Sequence, residues 1–243
     1  VRLGVARAVA WAHRPDGPLR ARTARLRAGL ARRVRPDVTP ALRSAPRSVG
    51  EGARGGAVAL PLAALCTTLH ALRLTIGTAQ QWFEQSRFVP GPRAPAGVWA
   101  GPLFHHPPNH LGGDLLSLLL FGLLLEWATG HGLTAVLIAF GLWATNPLST
   151  WLVTPLLQRL RPDDVAPFLA VADVGWSSVV DALVGAVAMG LKHPALLLVP
   201  FAANGVYLCV VKSSWLSVHH LIGLAGGMLA GWLWRRRRTA PGG

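Results

Sequence analysis

Six stretches of the chain are apolar over long runs, and polar residues gather between them. They lie near 57–76, at 110–129, near 133–157, at 168–191, at 194–211 and at 215–234. A run of about 18 or more apolar residues is long enough to cross the bilayer core as a helix. The pattern therefore predicts an all-α, polytopic membrane protein with six transmembrane helices. Residues 145–147 read TNP, and the proline predicts a break or kink inside the third span. The segment 77–104 contains QQWFEQSRFVPGPRAPAGVWAGP, whose tryptophans and prolines predict a structured loop at the membrane–water interface.

Composition adds direction to this picture. The formal net charge is +14, and ten of those charges come from residues 1–56, where thirteen arginines face three acids. A second block, RRRR at 235–238, follows the sixth span. Basic blocks on both flanks of an even number of spans predict that both termini are cytoplasmic. The 77–104 loop then faces outward and the TGHG turn at 129–132 faces inward. This reading makes the charge a topology signal with anionic lipid as its partner, and no nucleic acid is expected. Three segments follow: a basic cytoplasmic tail (1–55), a membrane domain (56–234) and a basic C-terminal tail (235–243). Within the first, LRARTARLRAGLARRVR at 19–35 puts Leu19, Leu26, Leu30 and Val34 on one helical face. It reads either as an interfacial amphipathic helix or as a disordered arm. The expected location is the plasma membrane, as a multi-pass protein, with a prokaryotic inner membrane the best match. Cys66 and Cys209 both fall within spans, so no disulfide framework is expected. No cleavable signal peptide, glycine-rich phosphate loop or CxxC zinc motif is evident, and no cofactor is expected.

Ionisable residues inside spans are costly and mark function. In the second span His110, Asp114, Leu118, Gly122, Glu126 and Gly130 recur every fourth residue, which aligns them on one drifting helical ridge. Glu126 fits a polar group at the inner end of a packed ridge; His110 and Asp114, near the outer end, do not. In VGWSSVVDALVGAVAMG (174–190), Ser177, Asp181 and Gly185 share one ridge, and Ser178, Ala182, Ala186 and Gly190 form a small-residue ridge beside it. In the sixth span Gly223, Gly227 and Gly231 repeat at the spacing of a close-packing face, with His220 one turn before them.

Together these stretches resemble the rhomboid family of intramembrane serine proteases, over roughly 103–234. The family's second span reads H-x4-H-L-x2-N and then carries glycine, glutamate and glycine; here His105, His110, Leu111, Gly122, Glu126 and Gly130 match. Its fourth span opens G-x-S-G, matched by Gly175, Trp176 and Ser177. Its sixth carries H-x2-G-x3-G, matched by His220, Gly223 and Gly227. The resemblance implies a six-helix rhomboid-like bundle and a serine endopeptidase that cuts transmembrane substrates. Ser177 would be the nucleophile at the start of a short fourth helix and His220 its general base. His110, with the residue at 114 and the Ser177 backbone N–H, would form the oxyanion site. His105 would anchor a loop, and His106 takes no role.

The chain departs from the family at three positions. Asp114 stands where the family has its oxyanion asparagine, and an ionised carboxylate only accepts hydrogen bonds. Ser178 replaces a motif glycine. Asp181 occupies a site where some members carry a tyrosine packed on the catalytic histidine, and it is a candidate third member of a Ser–His–Asp triad. A pseudoprotease that binds transmembrane clients without cutting them is the alternative that Asp114 favours. A histidine-ligated metal enzyme built from His105, His106, His110, His219, His220 and Asp114 is a third reading, although the chain has few histidine boxes.

Overall fold

The computed structural model describes residues 56–89, 95–105, 108–170, 176–212 and 214–239. All fall within Ser44–Gly243, the second of two units into which the chain divides. The basic segment 1–55 with its 19–35 stretch lies outside the described residues, as do His106, Gly175 and 240–243. Among the described residues every regular element is helical.

Helix α1 spans Ala59–Thr75 and ends at Ile76, which is extended at φ −123°. The chain there turns by 117° into α2, Gly77–Gln85. The segment that sequence predicts as a structured loop is thus largely helical, comprising α2, α3 (Pro95–Ala100) and a 3₁₀ turn at Gly101–Leu103. Its aromatic residues divide by exposure. Phe83 is buried beneath the Arg73 guanidinium, 4.5 Å from its ring centre, while Trp82 and Trp99 are exposed.

Helix α4, Pro108–Thr129, contains one π-helical stretch at Leu118–Gly122. This explains the four-residue ridge. In an α-helix a spacing of four overshoots a full turn by about 40°, so such a ridge spirals away from its face. A π-helical turn takes up an extra residue and cancels part of that drift. Asp114, Leu118, Gly122 and Glu126 consequently all stay buried. Gly130 closes α4 at φ 87°, a left-handed conformation suited to glycine, and forms the tight turn into α5, His131–Trp143.

The predicted break at TNP is present. Helices α5 and α6 (Thr145–Leu160) meet at 45° across Ala144. Pro147 has no N–H to donate, so the break costs little hydrogen bonding there. The predicted fourth region, 168–191, is interrupted. It comprises α7 (Val165–Ala170), a stretch outside the described residues, and α8 (Ser177–Gly190). Helices α9 (Ala195–Val210) and α10 (Val218–Thr239) complete the order, and α10 carries the arginine block within its last turns.

By length and hydropathy one helix, Pro108–Thr129, suffices to cross a membrane alone, and up to three spans result if each bent pair counts as one. Ser177–Gly190 and Ala195–Val210 are apolar but shorter. The main core lies where α1, α4 and α5 surround α8, around Cys66, Leu118, Leu137, Trp176, Val179 and Leu183. Helix α8 is buried on every side from Ser178 to Ala186, as expected of a helix that is apolar all round.

Candidate active site

The close approach of α8 and α10 begins with residues that have no side chain to interpose. A Cβ added at Gly223 would stand 2.5 Å from the Ser178 carbonyl oxygen, and one at Gly231 would stand 2.7 Å from that of Ala186. A Cβ at Gly227 would overlap the Ala182 carbonyl. From the other side, a Cβ at Gly185 would meet the Met228 nitrogen at 2.8 Å. The glycine face of α10 therefore rests on the small-residue ridge Ser178, Ala182 and Ala186, backbone against backbone. Close packing of this kind is the use of small residues between membrane helices.

This seam brings His220 onto Asp181. Nδ1 of His220 lies 2.6 Å from Oδ2 of Asp181, whose side chain is largely buried. Ser177 is the first residue of α8, one turn before Asp181 on the same ridge. Its backbone N–H is among the first amides of the helix, which have no intrahelical acceptor. Its hydroxyl makes no hydrogen bond among the described residues, and the side chain is half-buried.

The neighbouring serine behaves differently. Ser178 is buried and donates to the Gly141 carbonyl of α5 at 2.8 Å. Thr145 Oγ1 lies 3.0 Å from the Ser178 hydroxyl and 2.9 Å from the same carbonyl, so its proton serves one of the two. Gly141 itself admits α8, because a Cβ there would stand 2.5 Å from Val179 Cα. Ser178 thus ties α8 to α5.

A second carboxylate site lies on α4. His105 Nε2 reaches Asp114 Oδ2 at 3.2 Å, and His110 Nε2 reaches the same oxygen at 3.5 Å. His105 is fully buried, and its carbonyl accepts a 2.7 Å hydrogen bond from Arg73 Nη1. Its ring meets Trp176 edge-on at 5.0 Å, and Trp176 immediately precedes Ser177. His110 is one-third exposed. Two imidazoles thus face one oxygen of Asp114, and of the two only His105 is within hydrogen-bond distance.

Glu126 belongs to a separate place. Its carboxylate, fully buried, accepts from the Ala59 N–H at 2.7 Å and the Val58 N–H at 3.3 Å, with His131 Nδ1 at 2.8 Å. A carboxylate on the first amides of a helix satisfies orphan donors and complements the helix dipole. Glu126 thus pins α4 to the start of α1, away from the Ser177 site.

The sequence-predicted residues sort into three groups. Asp181, His220, Gly223 and Gly227 meet at the α8–α10 seam, whereas Ser177, one turn before Asp181, makes no hydrogen bond to His220. His105, His110 and Asp114 form the adjoining cluster beneath Trp176. Glu126 is structural, and Gly175 lies outside the described residues. Sequence reasoning missed Arg73, whose signal was a lone arginine inside an apolar run, and His131, five residues after Glu126. Among the described residues no three His, Cys, Asp or Glu side chains are grouped as a metal would require. The histidine-box reading therefore has no geometric support there. A cavity of about 570 Å³ lies between Phe88 and Val98 on one side and Pro147, Trp151 and Pro155 of α6 on the other, and includes none of these site residues. In comparison with known proteins, the chain matches no family model and no curated relative.

Proposed function

We propose that the chain is an intramembrane serine protease of rhomboid-like architecture that cleaves transmembrane substrates with Ser177, His220 and Asp181. The observation that carries this reading is the 2.6 Å contact between His220 and Asp181, with Asp181 one helical turn from a serine at the helix start whose hydroxyl has no hydrogen bond among the described residues. His220 draws the proton from the Ser177 hydroxyl with its Nε2 as the serine oxygen attacks the scissile carbonyl. The same nitrogen then hands that proton to the leaving amine. Asp181 accepts the Nδ1–H, fixes the tautomer and balances the imidazolium that forms. The charge developing on the carbonyl oxygen is met by the Ser177 N–H and by His110, beside Asp114. Water then releases the acyl group by the reverse sequence.

The six-span arrangement is part of this proposal. At 1.5 Å per residue α8 is about 21 Å long, short of a bilayer core of about 30 Å. Flanked by the longer α4, α9 and α10, it would hold Ser177 below the outer surface in a recess that water enters. The arginine blocks put both termini in the cytoplasm, against anionic lipid of a plasma membrane, most naturally a prokaryotic inner membrane. The exposed Trp82 and Trp99 suit the outer interface.

A fluorophosphonate probe tests the reading. The full-length protein in detergent or liposomes becomes labelled, Ser177→Ala does not, and the parent cleaves a model transmembrane substrate. The second reading, a pseudoprotease that holds client helices, is favoured by Asp114, since its position in the family belongs to a donor. Absence of labelling in folded protein, together with retention of a transmembrane peptide, would establish that reading instead.

A further inference from the structure

The imidazole of His220 touches a second ring that the mechanism above does not use. His219 precedes it on α10, is 5 % exposed, and its ring centroid lies 4.2 Å from that of His220 at an interplanar angle of 32°. Successive residues of a helix point about 100° apart and do not normally face one another. Here both lie in the first turn of α10, directly after the 3₁₀ turn Trp215–Ser217, and the two rings lean together at a tilt. The hydrogen bond of His220 Nδ1 to Asp181 fixes an edge of the ring, and the neighbouring ring of His219 bears on its plane.

We infer that His219 is a positioning residue for the general base, holding the His220 ring plane so that Nδ1 stays on Asp181 and Nε2 is left to take the Ser177 proton when substrate binds. This rests on the protease reading above. Position 181 carries a carboxylate, which grips an edge and offers no aromatic surface, so the face of the base is covered from its own helix instead. The inference concerns the ring face of His219 and requires no particular charge on it.

The test uses the full-length protein, its thermal unfolding midpoint and the rate of fluorophosphonate labelling of Ser177 over a range of probe concentrations. His219→Ala is expected to lower the maximal labelling rate by roughly tenfold while the half-saturating concentration stays within about twofold, because probe entry is untouched and only the attack geometry suffers. His219→Phe, which keeps a flat face, is expected to recover the rate to within about threefold of the parent. His219→Leu fills similar space without a flat face and is expected to remain slow, and this pair decides the matter if His219→Ala does not fold. A His219→Ala protein that labels like a labelled parent overturns the inference alone. So does a His219→Phe protein as slow as His219→Leu with an unchanged unfolding midpoint. A folded parent that never labels overturns the protease reading and this inference with it.

Discussion

Two carboxylates stand in neighbouring parts of the bundle and are held in different ways. Asp181 meets one imidazole at 2.6 Å across a seam where two backbones touch. Asp114 meets two imidazoles at 3.2 and 3.5 Å, on a helix whose pitch is relaxed by a π turn. The first is a short, single contact between separate helices, so its geometry is set by how those helices pack. The second is a looser convergence of a loop residue, a helix residue and a carboxylate one turn away. A short single contact suits a group that must fix one proton in one place. A shared oxygen suits a group that supports its neighbours.

Four substitutions break or sharpen this contrast. The largest effect is expected at Asp181→Asn, which keeps the shape but presents an amide N–H₂ or a weaker acceptor to Nδ1. Labelling of Ser177 should slow by about 10³-fold or more at neutral pH, as removal of the orienting carboxylate does in comparable triads. A rate equal to the parent would reduce the 2.6 Å contact to packing. Gly227→Leu comes next. Its side chain has no space against the Ala182 carbonyl, and overpacking of this kind costs on the order of 1–3 kcal/mol or more. The unfolding midpoint should fall, and activity should fall with it as the seam opens. Asp114→Asn is expected to change the labelling rate by less than about tenfold, because the amide keeps the shape and one acceptor oxygen facing His105 and His110. A large acceleration would instead identify the native carboxylate as a brake on the oxyanion. Smallest is Ser178→Ala, which removes one buried hydrogen bond to Gly141. It should cost about 1 kcal/mol in thermal or denaturant unfolding and leave the labelling rate unchanged.

The parts of this arrangement that sequence made legible are those governed by spacing along one helix. Gly223, Gly227 and Gly231 predicted a close face, and it packs on Ser178, Ala182 and Ala186, the ridge predicted beside Ser177. The TNP break and the burial of the Asp114–Glu126 ridge follow from residue type and period. What was not legible depends on contacts between distant residues. That Ser178 bonds to Gly141 and Thr145, 37 and 33 residues earlier, is decided by the depth at which α5 crosses α8. The grip of Arg73 on the His105 carbonyl depends on the 117° turn after α1, which no periodicity encodes. The π turn was visible only indirectly, as a spacing of four kept up longer than an α-helix tolerates. Six spans were predicted from apolar runs, whereas length and hydropathy of the helices identify one to three; α8 is too short to meet the criterion alone, and the basic end of α10 counts against it.

The enclosure of α8 has a further consequence for how this protein would sense its surroundings. Helices α1 and α9 present Leu65, Leu74, Leu196, Val199 and Val210 outward, so under the proposed membrane reading a change in acyl-chain length would be felt there first. Helix α8 shares none of that outer surface from Ser178 to Ala186. In the proposed membrane setting, stretching or thinning the bilayer would tilt the periphery and change how a substrate helix is presented. The spacing between Asp181 and His220 is set by main-chain contact, and lipid has no lever on it.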